Sequence, residues 1–328
     1  MSCRLCHSTE DHREFEIREM MFGLKDRFSY FQCANCEAIQ ATEILADLDK
    51  YYPQDYYDRM SNQAGDGLSW PVPGWCATMT GGPIVTYLEI LKDLNKDWDR
   101  ILTERVVAYY LSGINARPDW RILDVGTANG EFLRSLRRVG FSGKLVGIEP
   151  YIEEEIEFED GVRIEKGTIF DTDFGQEWDL ITFHHSFEHV PNPLDVLQAA
   201  SRLLSKDGVI LIRTPIVPCH AWEHYGVNWI SLDAPRHYFI PSARSIGILA
   251  ENSNLFLKEV KYDSTAFQFW GSEQYEREIP FFSERSFIND PMNSTITLPQ
   301  ILISERKAEL LNREGKGDQA AFYLVRKS

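Results

Sequence analysis

The stretch from Arg121 to Leu136 constrains the chain most. It opens with an apolar run, Ile122-Leu123-Asp124-Val125, breaks at Gly126-Thr127-Ala128-Asn129-Gly130, and resumes with Phe132, Leu133 and Leu136 at helical spacing. That order predicts a strand, a tight glycine turn and a helix. Glycine serves where the backbone takes unusual dihedrals or approaches a ligand, and a helix start offers N–H groups to polar oxygens. The alternative is a plain βα turn. The second glycine follows the first by four positions, and Asp124 stands two residues before the turn, so this is not the Gly-x-Gly-x-x-Gly dinucleotide fingerprint. About 20 residues further on, the apolar run Lys144-Leu145-Val146-Gly147-Ile148 ends in Glu149-Pro150. A carboxylate at that strand tip can accept both hydroxyls of a ribose.

With Glu149, the run Asp124-Val125-Gly126-Thr127-Ala128-Asn129-Gly130 resembles the class I S-adenosylmethionine-dependent methyltransferases, over roughly the last two thirds of the chain. The resemblance implies an α/β fold, a seven-stranded Rossmann-like sheet, with the glycine turn under the methionine part of the cofactor and Glu149 on its ribose. It implies a cofactor site of Asp124, Gly126, Thr127, Ala128, Gly130 and Glu149. Thr168 and Ile169 would stand at the adenine end and His184 on the cofactor-side wall. Members of that family often read adenine through an acid; none stands at Thr168, so the backbone and Ile169 or Phe170 are expected instead. Ala128 replaces the family's middle glycine, and a negative φ is expected for it.

At 328 residues the chain has room for one large domain and a small one. Its formal net charge is −16, an acidic run spans Glu153 to Asp160, and no basic block is visible, so nucleic-acid partners are disfavoured. The acidic run reads as a solvated face. Met1-Ser2-Cys3-Arg4 carries no apolar signal core and no segment is long enough to span a bilayer, which points to the cytoplasm and away from membranes. The six cysteines are then not read as disulfides.

Cys3-x-x-Cys6 and Cys33-x-x-Cys36 are matched knuckles with 26 residues between them. Each can present two thiolates to one tetrahedral zinc ion, and a shell of four closes the metal to catalysis. Unliganded thiols or a redox pair are the alternative; a thioredoxin-like context is lacking. Phe28-Ser29-Tyr30-Phe31 leads into the second knuckle as in a zinc ribbon, and the shell needs neither His7 nor His12. A four-cysteine module, a Tyr/Pro-rich connector and a class I core together look like sugar C-methyltransferases and related polysaccharide-locus enzymes, although this chain is shorter after the core. The expected division is a ribbon over 1–50, a connector with covering helices over 51–115, and a core over 116–328 with a substrate insertion near 215–240.

The connector crowds four tyrosines into Tyr51 to Tyr57. These either pack the ribbon on the core or, as the resemblance suggests, let Tyr56 or Tyr57 reach cofactor or substrate. Residues 61–83 read as a loop, and Ile84 to Leu111 as one or two helices over the cofactor site. Trp178 to Phe183 is nearly continuous apolar, as a doubly buried parallel strand should be, and delivers His184-His185-Ser186-Phe187-Glu188-His189 to the carboxyl edge where ligands bind. His189, oriented by Glu188, and His237, beside Arg236, are the candidate proton acceptors. His185, Glu188 and His189 also allow a divalent cation, as in some quinone O-methyltransferases. Between Trp222 and His237 the aromatic and polar residues suit a sugar ring or a well-packed insertion. Trp229, Asp233, Arg236 and His185 are read as facing substrate. The resulting expectation is a methyltransferase of a nucleotide sugar or polysaccharide precursor, with homo-oligomerisation left open. Its rivals are a quinone or phenol O-methyltransferase and a non-catalytic binding protein on the same fold.

Overall fold

The structure is a computed structural model that describes residues 1–53, 109–111, 113–171, 177–291 and 293–327. The chain divides into two compact units, one of residues 88–214, 246–260 and 321–328, the other of residues 1–87, 215–245 and 261–320.

The first unit is built on the predicted strand, turn and helix. β4 (Ile122–Val125) lies between β5 (Leu145–Glu149) and β8 (Trp178–His184), parallel to both, with Asp124 opposite Gly147 on one side and Thr182 on the other. β7 (Arg163–Lys166) extends the sheet beyond β5, and β9 (Leu204–Pro215) beyond β8, again in parallel. With β6 (Ile156–Glu157), β11 (Leu255–Tyr262) and β12 (Gln319–Arg326) the order is β11-β12-β9-β8-β4-β5-β7-β6. The sheet thus has eight strands where seven were expected. The additional one is β6, a two-residue antiparallel edge strand inside the acidic run, whose other residues are largely exposed.

Helix α1 (Glu131–Arg138) buries Phe132, Leu133 and Leu136, the apolar set at helical spacing, and ends before Gly140 at φ +99°. Helix α2 (Pro193–Leu203) starts on a proline, whose missing N–H costs nothing at a helix start. Its last carbonyls are taken by Arg326, which donates to Ser201 O at 2.8 Å and Leu204 O at 2.6 Å.

In the second unit β1 (Arg13–Arg18), β2 (Arg27–Gln32) and β3 (Ile39–Ala41) form an antiparallel ribbon, and the fourth strand is β10 (Phe239–Ile240), paired with β3 from far along the chain. Tyr30 Oη donates to His237 O at 2.8 Å. Ile17, Tyr30 and Ile39 of the ribbon share one core with Trp222 and Tyr225 of α3 (His220–Tyr225), Phe269 and Trp270 of α5 (Phe267–Glu276), and Ile301 and Leu311 of α6 (Leu298–Arg313). The ribbon and the segment near 215–240 thus build one unit, a grouping that the division into 1–50 and 116–328 did not anticipate. The physical reason is that a three-stranded ribbon of this size has too little apolar area to close a core alone. Helix α4 (Ala243–Glu251) follows β10, and neither α5 nor α6 was foreseen. Among the described residues no helix is long and apolar enough to cross a membrane.

Candidate functional site

The glycine turn carries three consecutive demands on its backbone. Gly126, Ala128 and Gly130 all have positive φ, at +73°, +50° and +74°. The expectation of a negative φ at Ala128 is thus corrected. Its amide is drawn to Glu149, whose Oε2 accepts Ala128 N at 3.0 Å, and that hydrogen bond fixes the residue in the left-handed region despite its Cβ. Glycine at 126 answers a protein neighbour, because a Cβ there would come 2.5 Å from Ser186 Cβ. Ser186 is itself tied to the turn by a hydrogen bond from Oγ to Val125 O at 2.5 Å. The amides of Gly126 and Thr127 both go to Ile148 O, at 2.9 and 3.3 Å, so this part of the turn is a rigid platform on β5.

Asp124 stands inside that platform. Its Oδ2 accepts from Thr127 Oγ1 at 2.8 Å and its Oδ1 from Thr182 Oγ1 at 2.7 Å, and the residue is 2 % exposed. Burial pushes its carboxyl up to about 6 against the opposing pull of the two hydroxyls. Through these two hydroxyls it acts as a strut joining β4, β8 and the turn. Thr182 was missed by sequence reasoning, although its position opposite Asp124 in the neighbouring strand is the signal that would have found it.

Glu149 is placed as expected at the β5 tip. Besides Ala128 N, it accepts Tyr151 N on Oε1 at 3.3 Å, and burial raises its carboxyl above the ordinary value. Each oxygen retains a second lone pair, so a pair of adjacent hydroxyls finds an acceptor for each. At the β7 tip Thr168 is held by Asp171, whose Oδ2 accepts both Thr168 N at 2.9 Å and Thr168 Oγ1 at 2.6 Å. An acid therefore does stand at this tip, three residues later than the sequence pattern suggested. Ile169 is buried in the core, while Phe170 is exposed.

At the β8 tip the His184 ring packs 4.1 Å from Phe132 and 5.6 Å from Tyr110, and burial together with the nearby Arg213 pulls its pKa well below the ordinary value. Glu188, fully buried on the short turn Phe187–His189, accepts from His185 Nδ1 at 3.1 Å. The His189 ring nitrogen lies within 4.8 Å of the same carboxylate. His185 Nε2 is in turn engaged by Arg213 Nη1. Both ring nitrogens of His185 therefore meet protein partners.

In the other unit Arg236 is fully buried. It donates to both oxygens of Asp233, to Glu19 Oε1 at 3.1 Å and to Tyr51 O at 3.1 Å. Trp229 is 1 % exposed and donates its indole N–H to Asp318 at 3.0 Å. These side chains, read from the sequence as facing substrate, brace the unit with Asp233, since each polar atom named has a protein partner at hydrogen-bond distance. His237 Nδ1 lies 2.8 Å from Ser231 O. Tyr56 and Tyr57 lie outside the described residues.

The four knuckle cysteines converge. Their sulfurs all lie within 4.8 Å of one another, with Cys3–Cys36 and Cys6–Cys33 each at 3.6 Å. A tetrahedron with metal–sulfur bonds of about 2.3 Å has edges of about 3.8 Å, so the donor set fits zinc. Gln40 Nε2 donates to Cys3 Sγ at 2.8 Å, and Ser242 Oγ to Cys36 O at 2.5 Å, so neighbours orient the thiols. His12 is turned to Ser8 O and Ala34 N and stacks on Phe31, outside the sulfur set.

Comparison with known proteins agrees with this geometry. Residues 91–260 match the family model described as a methyltransferase domain. A ubiquinone biosynthesis O-methyltransferase of Colwellia psychrerythraea is 31% identical over 118 residues, 33% of this chain and 48% of that protein. The equivalent protein of Salmonella paratyphi A is 30% identical over 101 residues, 29% and 42%. The chain thus spans about half the length of the curated relatives it matches. Among solved structures, coclaurine N-methyltransferase bound to N-methylheliamine and SAH is similar with a TM-score of 0.44 at 15% identity, over 68% of this chain and 71% of that one. The cyclopropane synthase MmaA2 of Mycobacterium tuberculosis gives 0.43 at 16%, over 67% and 82%. Since the matching family model covers more than half of the sequence, this chain belongs to the methyltransferase-domain family.

Proposed function

We propose that the chain is an S-adenosylmethionine-dependent methyltransferase of a small polar metabolite, with a nucleotide sugar or polysaccharide precursor as acceptor, and that Cys3, Cys6, Cys33 and Cys36 hold a structural zinc ion. The observation that carries the donor assignment is Glu149, a buried carboxylate fixed beside the positive-φ turn with lone pairs left for a ribose. The bound donor supplies a methyl group activated by its sulfonium charge. The chain's part is to hold the ribose at Glu149, seat the donor against Gly126 to Gly130, and accept the acceptor's proton at an imidazole nitrogen, for which His189 and His237 are the candidates. The occurrence of a four-cysteine ribbon and a methyltransferase domain in one chain, an architecture that resembles sugar methyltransferases, supports the sugar-type acceptor.

Quinone or phenol O-methylation is the second reading, favoured by the names of the curated relatives. Cation binding by Glu188 in that reading competes with its hydrogen bond to His185.

Calorimetry with S-adenosylhomocysteine, followed by transfer of labelled methyl to a panel of nucleotide sugars and phenols with and without magnesium, tests the proposal. The expected result is binding, weakened about 10- to 100-fold by Glu149→Ala through loss of hydrogen bonds to a charged group, and magnesium-independent transfer to a nucleotide sugar. No binding removes the donor assignment and favours a binding protein on this fold. Transfer confined to phenols removes the sugar acceptor. Metal analysis without zinc removes the metal.

A further inference from the structure

Arg213 has no place in the sequence pattern of the site, yet it sits at the same carboxyl edge of the sheet. It is the tenth residue of β9, fully buried, with its guanidinium 5.7 Å from the centre of the Tyr110 ring. Tyr110 is anchored in turn, since its carbonyl accepts from Tyr323 Oη at 2.9 Å. Two links join Arg213 to the β8 tip. Its carbonyl accepts His185 N at 2.9 Å, and its Nη1 engages His185 Nε2. On the other side of the ring, Nδ1 meets Glu188 Oε1 at 3.1 Å.

A guanidinium has donors and no acceptor, so the nitrogen facing Arg213 must present a lone pair. The ring is then neutral and carries its one proton on Nδ1, and that proton is donated to Glu188. The three residues form a directed chain, Arg213 to His185 to Glu188, ending on a fully buried carboxylate one residue before His189. His185 keeps φ at +51°, a region costly for a side chain, and the paired backbone and side-chain bonds to Arg213 hold it there.

We propose that Arg213 is a positioning residue for methyl transfer: it fixes the tautomer of His185 and, through it, the place of the Glu188 carboxylate at the β8 tip. This rests on the methyltransferase reading above. It assigns His185 a relay role and leaves proton acceptance to other residues, since a proton on Nε2 would face the guanidinium donor.

The first test is read on the wild-type chain, a variant serving only to assign the signal. Nitrogen-15 spectra of the histidine rings in the full chain at pH 7.5, with His185 assigned through His185→Gln, should show a neutral ring protonated on Nδ1. A ring protonated on Nε2, or on both nitrogens, overturns the relay. The second test compares Arg213→Met and Arg213→Lys, with S-adenosylmethionine as donor and the nucleotide sugar as acceptor. Arg213→Met should lower kcat about 10- to 100-fold, as a displaced group at a reacting centre does. The KM for the donor and the affinity for S-adenosylhomocysteine should stay within about threefold of wild type (under about 0.7 kcal/mol), and Arg213→Lys should restore part of kcat together with the Nδ1 signature. Unchanged kcat in Arg213→Met overturns the positioning role, as does an equal loss of donor binding. If the wild type methylates no acceptor, the functional reading fails, and the ring spectra still decide whether the relay exists.

Discussion

Asp124 and Gly126 show how a residue type fixes chemistry while its partners fix its role. Burial holds the Asp124 carboxyl at about 6 in the folded chain against an ordinary 3.8, so between those values the folded chain keeps a proton that the unfolded chain releases. The stability this group lends is full below about 3.8 and is lost as pH climbs through about 6. A neutral isostere escapes that loss: Asp124→Asn should raise stability at pH 7.5 by on the order of 1–3 kcal/mol, with little change at pH 4. Urea unfolding at both pH values measures it, and a lower midpoint at pH 7.5 would contradict the burial-raised carboxyl. For Gly126→Ala, a positive φ and the approach of Ser186 act together, and a loss of about 2 kcal/mol or more is expected. Ser186→Gly should recover part of it, because it removes the clash and leaves the dihedral cost; simple additivity in the double variant would show that the two residues do not meet.

At the scale of elements, α1 and β8 were legible because their signals are local: apolar spacing and an uninterrupted apolar run. What ends an element is less local. The last carbonyls of α2 are satisfied by Arg326, more than a hundred residues away. Arg326→Met should therefore cost about 1–2 kcal/mol and speed amide exchange first in the last turn of α2. Uniform acceleration across the sheet would indicate a different role. β6 escaped notice because two residues in an acidic run carry no periodicity, and α5 and α6 because their buried faces are shared with the ribbon. Glu188 could be placed at the β8 tip from sequence, but its hydrogen bond with His185 could not, since that depends on the geometry of the turn.

For the whole molecule, the cysteine knuckles imply a consequence beyond the first fifty residues. Removing zinc from the native chain with a chelator should release amide protection in residues 13–41 together with that of β10 and α5, since they share a sheet or a core, while β4, β5 and β8 keep theirs. Hydrogen exchange read by mass spectrometry checks this, and loss confined to 1–50 would restore the independent module that the spacing suggested. By itself the sequence determined the strand, glycine turn and helix, the acid at the tip of β5, the apolar strands of the parallel sheet and the matched thiol pairs. Each depends on residues close in the chain, through side-chain period, turn chemistry or ligand spacing. Only the tertiary structure decided that Phe239–Ile240 completes the ribbon, that Arg236 and Trp229 turn inward as braces, that Ala128 takes a positive φ and that Arg213 reaches His185. Those outcomes depend on which groups meet once the chain is packed. A buried polar group takes the partner at hydrogen-bond distance, whatever its separation along the sequence.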